Sequence, residues 1–501
     1  MHDNTTSLLV KQDSCQRSEA NDEARSVTLS DGELLEASED EFVGYNEWAI
    51  QTLKVTVATD FVYEYLEGSY MRDRGVFIAE DIIPHAEVFS IPLDSMLTVK
   101  SLQENEVLQS IPFFQQLSLE REDDQLAIAL LYEKFVQGTK SRWFKHIELL
   151  PKKYHNVLYF DQEDLSALEG SNLFFIAEQM EKKVKQDYVI LKNSVLLDLF
   201  ENITESINFD HFNEFFSFEN YKWALSTIWS RFVSLRLDNA EALAEDVDGL
   251  AEKNTIMTRK DVNKQSFKAM VPVFDMLNHD PEVEMFHSFD MASQRFRLVS
   301  HQHWDAGSQI FINYGALSNQ KLLSLYGFVV TGNPFDAVDI WFPMVEDTTN
   351  HFNQKEKLLC DTGIDHRTHS FELVADECNE LLLIVARIQE IDCESSEEFE
   401  VLARKALNGE IVSLNNEQEA LTRLIYTLEK LLEAYPTTIE EDDNLIEAWQ
   451  NDFAKQDEQG IVHERMAVTV RRSDKHILSE NIYMLKWKLL DFLQTSENSK
   501  K

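Results

Sequence analysis

An amide and an imidazole interrupt the end of the most apolar stretch of this sequence. The segment VPVFDMLNHDP, residues 271–281, begins as a hydrophobic run, reaches Asn278 and His279, and ends in an Asp-Pro turn. Polar groups at the end of a buried strand can offer hydrogen-bond donors and acceptors to a ligand in a dry pocket. They can equally be satisfied polar residues at a strand end, so this segment alone does not establish a site.

An arginine and two tyrosines, like Asn278 and His279, could either take part in a site or be structural residues. Arg231 lies in YKWALSTIWSRF, on a helix face that the surrounding aromatic residues predict to be buried, and its guanidinium fork suits a carboxylate. An ion pair on the helix surface is the alternative. Tyr314 and Tyr326 lie twelve positions apart in INYGALSNQKLLSLYGF, residues 312–328, where either ring could simply pack in the core.

The common catalytic signatures are absent. The sequence has no G-x-S-x-G elbow, Walker A loop, G-x-G-x-x-G motif or H-E-x-x-H helix. His279, His287, His301 and His303 could suggest a metal site, but no acidic or cysteine partner stands at ligand spacing. We therefore expect no metal.

Short strand groups on either side of a helical region must position these residues. Residues 72–99 contain β-rich runs separated by prolines, which predicts a meander of small strands. Residues 101–236 have helical spacing, residues 238–265 are polar and predicted to form a loop, and strands return at residue 267. From residue 337 onward the chain is mainly helical and acidic.

Composition limits the classes of function. The 501 residues, 44% of them hydrophobic and 32 of them Phe, indicate a folded chain of two or three domains. A net charge of −43 disfavours direct contact with nucleic acid and favours a basic protein partner, although it could act only as a solubilising surface. No apolar run suits a membrane helix, and the first residues do not resemble a signal peptide. Four scattered cysteines indicate a reducing compartment, so we expect the protein in the nucleus, the cytoplasm or both. We also expect a monomer.

Three segments follow one another around the helical insertion: RGVF at residues 74–77, DMLNH at residues 275–279, and residues 312–328. In this order they resemble the SET-domain methyltransferases, in particular the branch of plant Rubisco large-subunit lysine methyltransferase and the fungal ribosomal-protein lysine methyltransferases. YKWALSTIWSRF and RMAVTVRRSDKHIL, residues 465–478, match further segments of that branch. The resemblance covers residues 45–495.

The resemblance implies an α+β fold. A SET β-core of small sheets with a pseudoknot would carry the helical insertion, at about residues 101–265, and an all-α substrate-binding domain would follow. We expect a disordered acidic tail at residues 1–44, the SET domain at residues 45–335 and the helical domain at residues 336–495. The sequence lacks the cysteine cluster that binds zinc after the core in histone-modifying SET enzymes.

The resemblance also implies S-adenosylmethionine-dependent protein-lysine N-methylation, with a ribosomal protein as the preferred substrate. Tyr314 is the expected catalytic residue, because its hydroxyl could align the methyl donor with the acceptor amine. Substrate contacts are expected from Asp275, Tyr326 and Arg231, although Asp275 could instead cap the turn that follows it. The residues expected to bind the cofactor are Arg74, Gly75, Arg231, Asn278, His279 and Tyr314.

One position departs from the family pattern. Many relatives have Gly-x-Gly where this chain has Asp73 and Gly75, so Gly75 alone can supply close backbone approach. This departure leaves open a non-catalytic binding module with the SET fold. A histidine acceptor is a further alternative, because a related enzyme methylates histidine in actin.

Overall fold

The computed structural model describes residues 42–66, 74–115, 120–204, 207–236, 266–346, 350–451 and 459–498. Three predictions fall outside these ranges: nearly all of the acidic tail at residues 1–44, the position of Asp73, and the loop at residues 238–265.

Among the described residues the strands form five small sheets, ordered β1-β4-β10-β9, β5-β7-β6, β2-β3, β8-β11 and β12-β13. The strands are β1 (Thr56–Val57), β2 (Phe61–Tyr65), β3 (Arg74–Ile78), β4 (Glu87–Pro92), β5 (Leu97–Thr98), β6 (Phe232–Arg236), β7 (Ser266–Met270), β8 (Asn278–His279), β9 (Met285–Asp290), β10 (Arg295–Ser300), β11 (Phe311–Ile312), β12 (Val338–Trp341) and β13 (Ser370–Leu373).

The α-helices fall mainly between β5 and β6 and after β12. They are α1 (Tyr45–Leu53), α2 (Val99–Leu102), α3 (Glu106–Ser110), α4 (Pro112–Gln115), α5 (Glu122–Leu131), α6 (Phe144–Glu148), α7 (Gln162–Ser166), α8 (Asn172–Lys192), α9 (Val195–Ile203), α10 (Phe209–Phe215), α11 (Phe218–Arg231), α12 (Asn319–Lys321), α13 (Phe352–Asp361), α14 (Glu380–Gln389), α15 (Ser396–Leu407), α16 (Leu414–Glu433), α17 (Ile439–Asn451) and α18 (Gln459–Asn498). None of the described helices has an apolar stretch long enough for a bilayer.

The strands of residues 72–99 do not form the predicted meander. β3 pairs with β2, β4 lies between β1 and β10, and β5 pairs with β7, so each joins a different sheet. Phe89 of β4 stands opposite Leu298 of β10, and both side chains are buried. Burial of such apolar pairs fixes strand partners more strongly than closeness in sequence does.

The helical region ends earlier than predicted, at Arg231. Ser217 caps the start of α11 by accepting a hydrogen bond from the backbone of Asn220. Phe232 then takes an extended backbone, with φ −79° and ψ 151°, and residues 232–236 pair with β7 as strand β6. The helical prediction for these residues was therefore wrong. Arg231 stands where the helix meets this sheet.

The region after β11 is mainly helical, as predicted, with one departure in the antiparallel pair β12–β13. Leu421, Leu424 and Leu428 lie along one face of α16 and are buried, as their spacing predicts. Met466 of α18 packs with Leu173 of α8 in a further apolar cluster, which joins the last helix to the insertion. The domain boundaries at residues 335 and 336 stay a prediction.

Candidate functional site

A short parallel strand pair places the Asn-His segment beside the Tyr-Gly segment. Asn278 of β8 stands opposite Phe311 of β11, and the backbone N–H of Asp280 donates to the carbonyl of Ile312 at 3.1 Å. The Asn278 side chain donates from Nδ2 to the carbonyl of Arg74 at 2.6 Å. Three segments that are far apart in sequence therefore meet at one point.

Tyr314 follows β11 and turns back against His279. Its backbone N–H donates to His279 Nδ1 at 3.1 Å, and the two rings stack with centroids 5.0 Å apart. The Tyr314 hydroxyl donates to the carbonyl of Leu277 at 2.8 Å. Burial lowers the pKa of His279, which favours the neutral ring as an acceptor. The predicted proximity of Tyr314 to Asn278 and His279 is thus observed.

An aromatic wall continues from Tyr314. Tyr326 stacks on Tyr314 with centroids 5.0 Å apart, and Phe328 lies edge-on to Tyr314 at 6.2 Å. Burial raises the pKa of Tyr326 to about 12, so its phenol stays protonated at neutral pH. Between them Gly327 has φ 81°, and a Cβ there would lie 2.7 Å from the backbone nitrogen of Asn156. The wall is therefore tied to the helical insertion.

Two partly buried arginines stand side by side near these rings. The side chain of Arg231 is 13% exposed, as the predicted buried helix face requires, and the alternative of an ion pair on the helix surface does not hold. Arg231 donates from Nη1 to the carbonyl of Asp275, and its buried Nε has no hydrogen-bond partner among the described residues. Burial lowers the pKa of Arg231, but nearby groups, Asp275 first among them, raise it overall. Burial and then Arg231 lower the pKa of Arg74. Adjacent cations with an unused N–H favour an anionic ligand.

The carboxylate of Asp275 faces the protein interior. Its side chain is 1% exposed, and Oδ2 lies 3.0 Å from Nε2 of the buried His146. Oδ1 lies 3.8 Å from Arg231 Nη1 and has no hydrogen-bond partner among the described residues. Capping of the following turn by Asp275 was wrong, because neither oxygen accepts from a backbone amide. A substrate contact by Asp275 stays a prediction.

Gly75 lies in β3 opposite Glu64. A Cβ at this position would lie 2.7 Å from Phe77 Cε2 and 2.9 Å from Gln309 Cδ. Packing of these protein side chains is sufficient reason for the glycine. Its contact with a cofactor stays a prediction.

The histidines considered as metal ligands lie in different surroundings. His287 lies in an aromatic cluster beside Phe274, and burial lowers its pKa to about 4. His301 contacts the ring of Phe286, whereas His303 pairs with Asp305 on the surface. His287 and His301 take part in packing, whereas the ligand atoms of His303, Asp81 and Asp305 lie within 4.8 Å of one another on the surface. The expected absence of a metal stays a prediction.

Sequence analysis missed His146, Tyr45 and Phe328. His146 is a single imidazole in WFKHIELLP, and its partner Asp275 is 129 positions away, so no local pattern marks it. Phe328 directly follows the Tyr326-Gly327 pair. The aromatic residues of the segment 312–328 were the one feature of the sequence that could have predicted the aromatic wall.

Comparison with solved structures defines the fold. The SET domain of LSMT bound to lysine and AdoHcy aligns with a TM-score of 0.69 and 19% sequence identity, over 91% of this chain and 93% of that chain. Residues 346–478 match the family described as Rubisco LSMT substrate-binding. The chain has the fold of that SET-domain structure, and its residues 346–478 match the substrate-binding family. The predicted α+β class, with a SET core and a helical C-terminal domain, is confirmed.

Proteins similar to this chain are named for the modification of two kinds of side chain. The ribosomal lysine N-methyltransferase set10 of Schizosaccharomyces pombe is 27% identical over 289 residues, which cover 57% of this chain and 45% of that protein. The actin-histidine N-methyltransferase of Mus musculus is 25% identical over 456 residues, which cover 89% of this chain and 68% of that protein. This chain therefore spans less than half of the first of these relatives.

Proposed function

We propose that this protein is an S-adenosylmethionine-dependent protein methyltransferase whose preferred acceptor is a lysine side chain. The supporting observation is the placement of Tyr314, whose ring lies against both His279 and Tyr326 while its hydroxyl donates to Leu277. A hydroxyl that has donated its proton acts toward a third group as an acceptor. It can therefore hold an amine in line with a methyl donor. S-adenosylmethionine, when bound, supplies a methyl group on a positively charged sulfur.

The residues present fit this cofactor. Its carboxylate needs positive charge, which Arg231, with its unused Nε, and the adjacent Arg74 supply. Its amino group and adenine need polar partners at a dry site, which Asn278 and His279 offer at the end of β8. We propose that these four residues, together with Tyr314, hold the cofactor.

The aromatic wall supports an amine acceptor. A lysine ammonium has no lone pair and must lose its proton before it can attack. Transfer of the amine into surroundings lined by Tyr314, Tyr326 and Phe328 disfavours the charged form and so lowers its pKa. Oxygen dipoles such as the Tyr314 hydroxyl then stabilise the positive charge that passes from sulfur to nitrogen.

The charge of the chain supports a basic protein substrate. A net charge of −43 attracts and steers basic partners, and ribosomal proteins are strongly basic. The relationship to a ribosomal lysine methyltransferase points in the same direction. We propose a ribosomal protein as the substrate, and a monomeric enzyme in the nucleus, the cytoplasm or both.

Histidine methylation is a second candidate function. The alignment with an actin-histidine methyltransferase covers 89% of this chain, compared with 57% for the ribosomal enzyme. A neutral imidazole needs no deprotonation before attack, so the aromatic wall is less necessary for it.

One experiment separates these functions. The purified protein is incubated with methyl-labelled S-adenosylmethionine and either ribosomal subunits or actin, and the labelled proteins are hydrolysed in acid for amino-acid analysis. We expect methyl-lysine in a ribosomal protein. Labelled methylhistidine in actin alone would support the second function. A protein that takes up no cofactor by calorimetry and forms no S-adenosylhomocysteine would be a binding module.

A further inference from the structure

The turn that leads into the candidate cofactor site has a strained backbone. This turn, residues 271–277, is called the site turn below. Val273 within it has φ 75° and ψ −53°, and its side chain is 2% exposed. A β-branched residue rarely adopts a positive φ, and it keeps one only where the surrounding structure fixes it. Something outside the site turn must therefore hold this conformation.

Hydrogen bonds within the site turn are short-range. The backbone N–H groups of Asp275, Met276 and Leu277 donate to the carbonyls of Val271, Val273 and Phe274 at 3.0, 3.2 and 3.1 Å. These bonds close small rings within the turn and do not attach it to its surroundings. The contacts from outside the turn include His146 of α6, which Tyr45 of α1 contacts, Arg231 of α11 and the Tyr314 hydroxyl.

Two buried side chains form a path to the site turn. The Tyr45 hydroxyl of α1 lies 2.8 Å from Nδ1 of His146 in α6, and His146 Nε2 lies 3.0 Å from Asp275 Oδ2. Tyr45 is 1% exposed and His146 is 2% exposed.

The donors and acceptors in this chain have one consistent direction. A carboxylate oxygen accepts, so the His146 proton lies on Nε2 and is donated to Asp275. Nδ1 of this tautomer accepts from the Tyr45 hydroxyl. A single path thus joins Tyr45 to the carboxylate of Asp275, two positions after the strained Val273. The carbonyl of Asp275 is held separately by Arg231.

We propose that Tyr45 and His146 are positioning residues that hold the site turn in the geometry that binds S-adenosylmethionine. The site turn ends at Leu277, whose carbonyl holds the Tyr314 hydroxyl, and continues directly into Asn278 and His279. Loss of the path would free the Asp275 carboxylate, two positions after the strained Val273, and displace these groups together. This role rests on the proposed function, because the site turn is assigned to a cofactor site.

His146→Phe tests the proposal. The ring is kept and both hydrogen bonds are lost, so we expect the Kd for S-adenosylmethionine, measured by calorimetry well below the melting temperature, to rise by about tenfold or more. The KM for the cofactor should rise with it, while the KM for the protein substrate changes by less than about threefold. His146→Gln keeps an amide N–H near the position of Nε2 and should recover most of the affinity. Hydrogen exchange of a peptide spanning residues 271–280 should be faster in His146→Phe.

His366→Phe is the matched control. His366 is also buried, accepts from the backbone of Met344 at 3.2 Å and lies 3.5 Å from Glu356, but it belongs to the C-terminal domain. We expect it to lower the melting temperature without changing the Kd for the cofactor. Tyr45→Phe, which removes one hydroxyl, replaces His146→Phe if that variant does not fold.

Two results would overturn the positioning role. One is unchanged cofactor affinity and unchanged exchange in residues 271–280 of His146→Phe. The other is an equal loss of affinity in the His366 control, which would mean a general effect of stability. Failure of the proposed function is a separate outcome: the wild-type protein would then bind no S-adenosylmethionine, while the exchange measurement would still report on the site turn.

Discussion

The hydroxyl of Tyr314 can be removed by a single conservative substitution that keeps the aromatic ring. Tyr314→Phe keeps the ring that stacks on His279 and Tyr326 but loses the oxygen that donates to Leu277. We expect turnover to fall by about tenfold or more, which corresponds to about 1.4 kcal/mol or more of transition-state stabilisation. Cofactor affinity should change by less than about threefold. Initial rates at saturating substrate and a calorimetric titration measure the two quantities.

Tyr426→Phe is the control for this substitution, because Tyr426 lies on α16 with 59% of its surface exposed. It should leave both quantities unchanged. A Tyr314→Phe enzyme with wild-type turnover would remove the hydroxyl from the mechanism.

Single residues were predictable from sequence where a short motif marks them. Asn278, His279 and Tyr314 were singled out because their segments, taken in order, resemble a family pattern, and the structure brings them together. Their roles stay a prediction. The partners of Asp275 and Arg231 were not found, since the contact between His146 and Asp275 joins α6 to a turn 129 positions later. Whether such a charged residue has an interior partner or a surface partner depends on its burial, and burial depends on the whole fold.

At the scale of elements, Gly327 controls how the aromatic wall meets the insertion. Gly327→Ala would combine a positive φ of 81° with a Cβ 2.7 Å from the backbone of Asn156. Backbone atoms cannot move aside as a flexible side chain does, so we expect a loss of about 2–4 kcal/mol in the free energy of unfolding, together with lower turnover. Gly332→Ala has a similar φ of 68° with open space around the Cβ, and it should cost only about 1–2 kcal/mol. Urea unfolding compares the two, and equal losses would contradict the clash.

A buried carboxyl joins three helices and makes stability depend on pH. Asp474 of α18 accepts hydrogen bonds from Ser171, the cap of α8, and from Gln320 of α12. Burial raises its pKa to about 7, above the value of about 3.9 in an unfolded chain. The folded state therefore binds more protons between these values, and the free energy of unfolding falls as pH rises from about 4 to about 7.

Asp474→Asn removes this titration. Relative to the wild type, we expect the variant to gain stability between pH 5 and pH 8, by up to about 3 kcal/mol. Urea unfolding at both pH values measures the gain. Glu400→Gln, at an exposed position of α15, removes the same formal charge and should show little change. A parallel pH dependence in all three proteins would assign the effect to overall charge.

Helices were predicted better than strand partners. α16 appeared in the sequence as a regular apolar spacing, because a helix satisfies its own backbone within a few residues. β6 and the β12–β13 pair were missed, and the strands of residues 72–99 were given the wrong neighbours. A strand needs a partner, and the partner is chosen by packing over long stretches of chain.

At the scale of the whole molecule, we expect the net charge of −43 to affect the encounter with the substrate more than it affects the chemical step. Salt shortens the Debye length from about 10 Å at 0.1 M to about 3 Å at 1 M, which weakens steering of a basic partner. We expect the KM for a basic protein substrate to rise by about tenfold over this range. The Kd for S-adenosylmethionine, which is held by partly buried groups, should change by less than about threefold. If salt changed the KM for the protein substrate less than the Kd for S-adenosylmethionine, the acidity of the chain would serve only to solubilise it.

The meeting of Asn278 with Arg74, across 204 positions, also sets when the pocket can exist. A chain leaves the ribosome with its first residues leading, so β3 is synthesised long before β8, β11 and Tyr314. The contacts among these elements can form only after the last of them has emerged. A nascent chain shorter than this cannot form the proposed site for S-adenosylmethionine. Cofactor bound at that site would therefore stabilise only the assembled domain and would not direct its assembly.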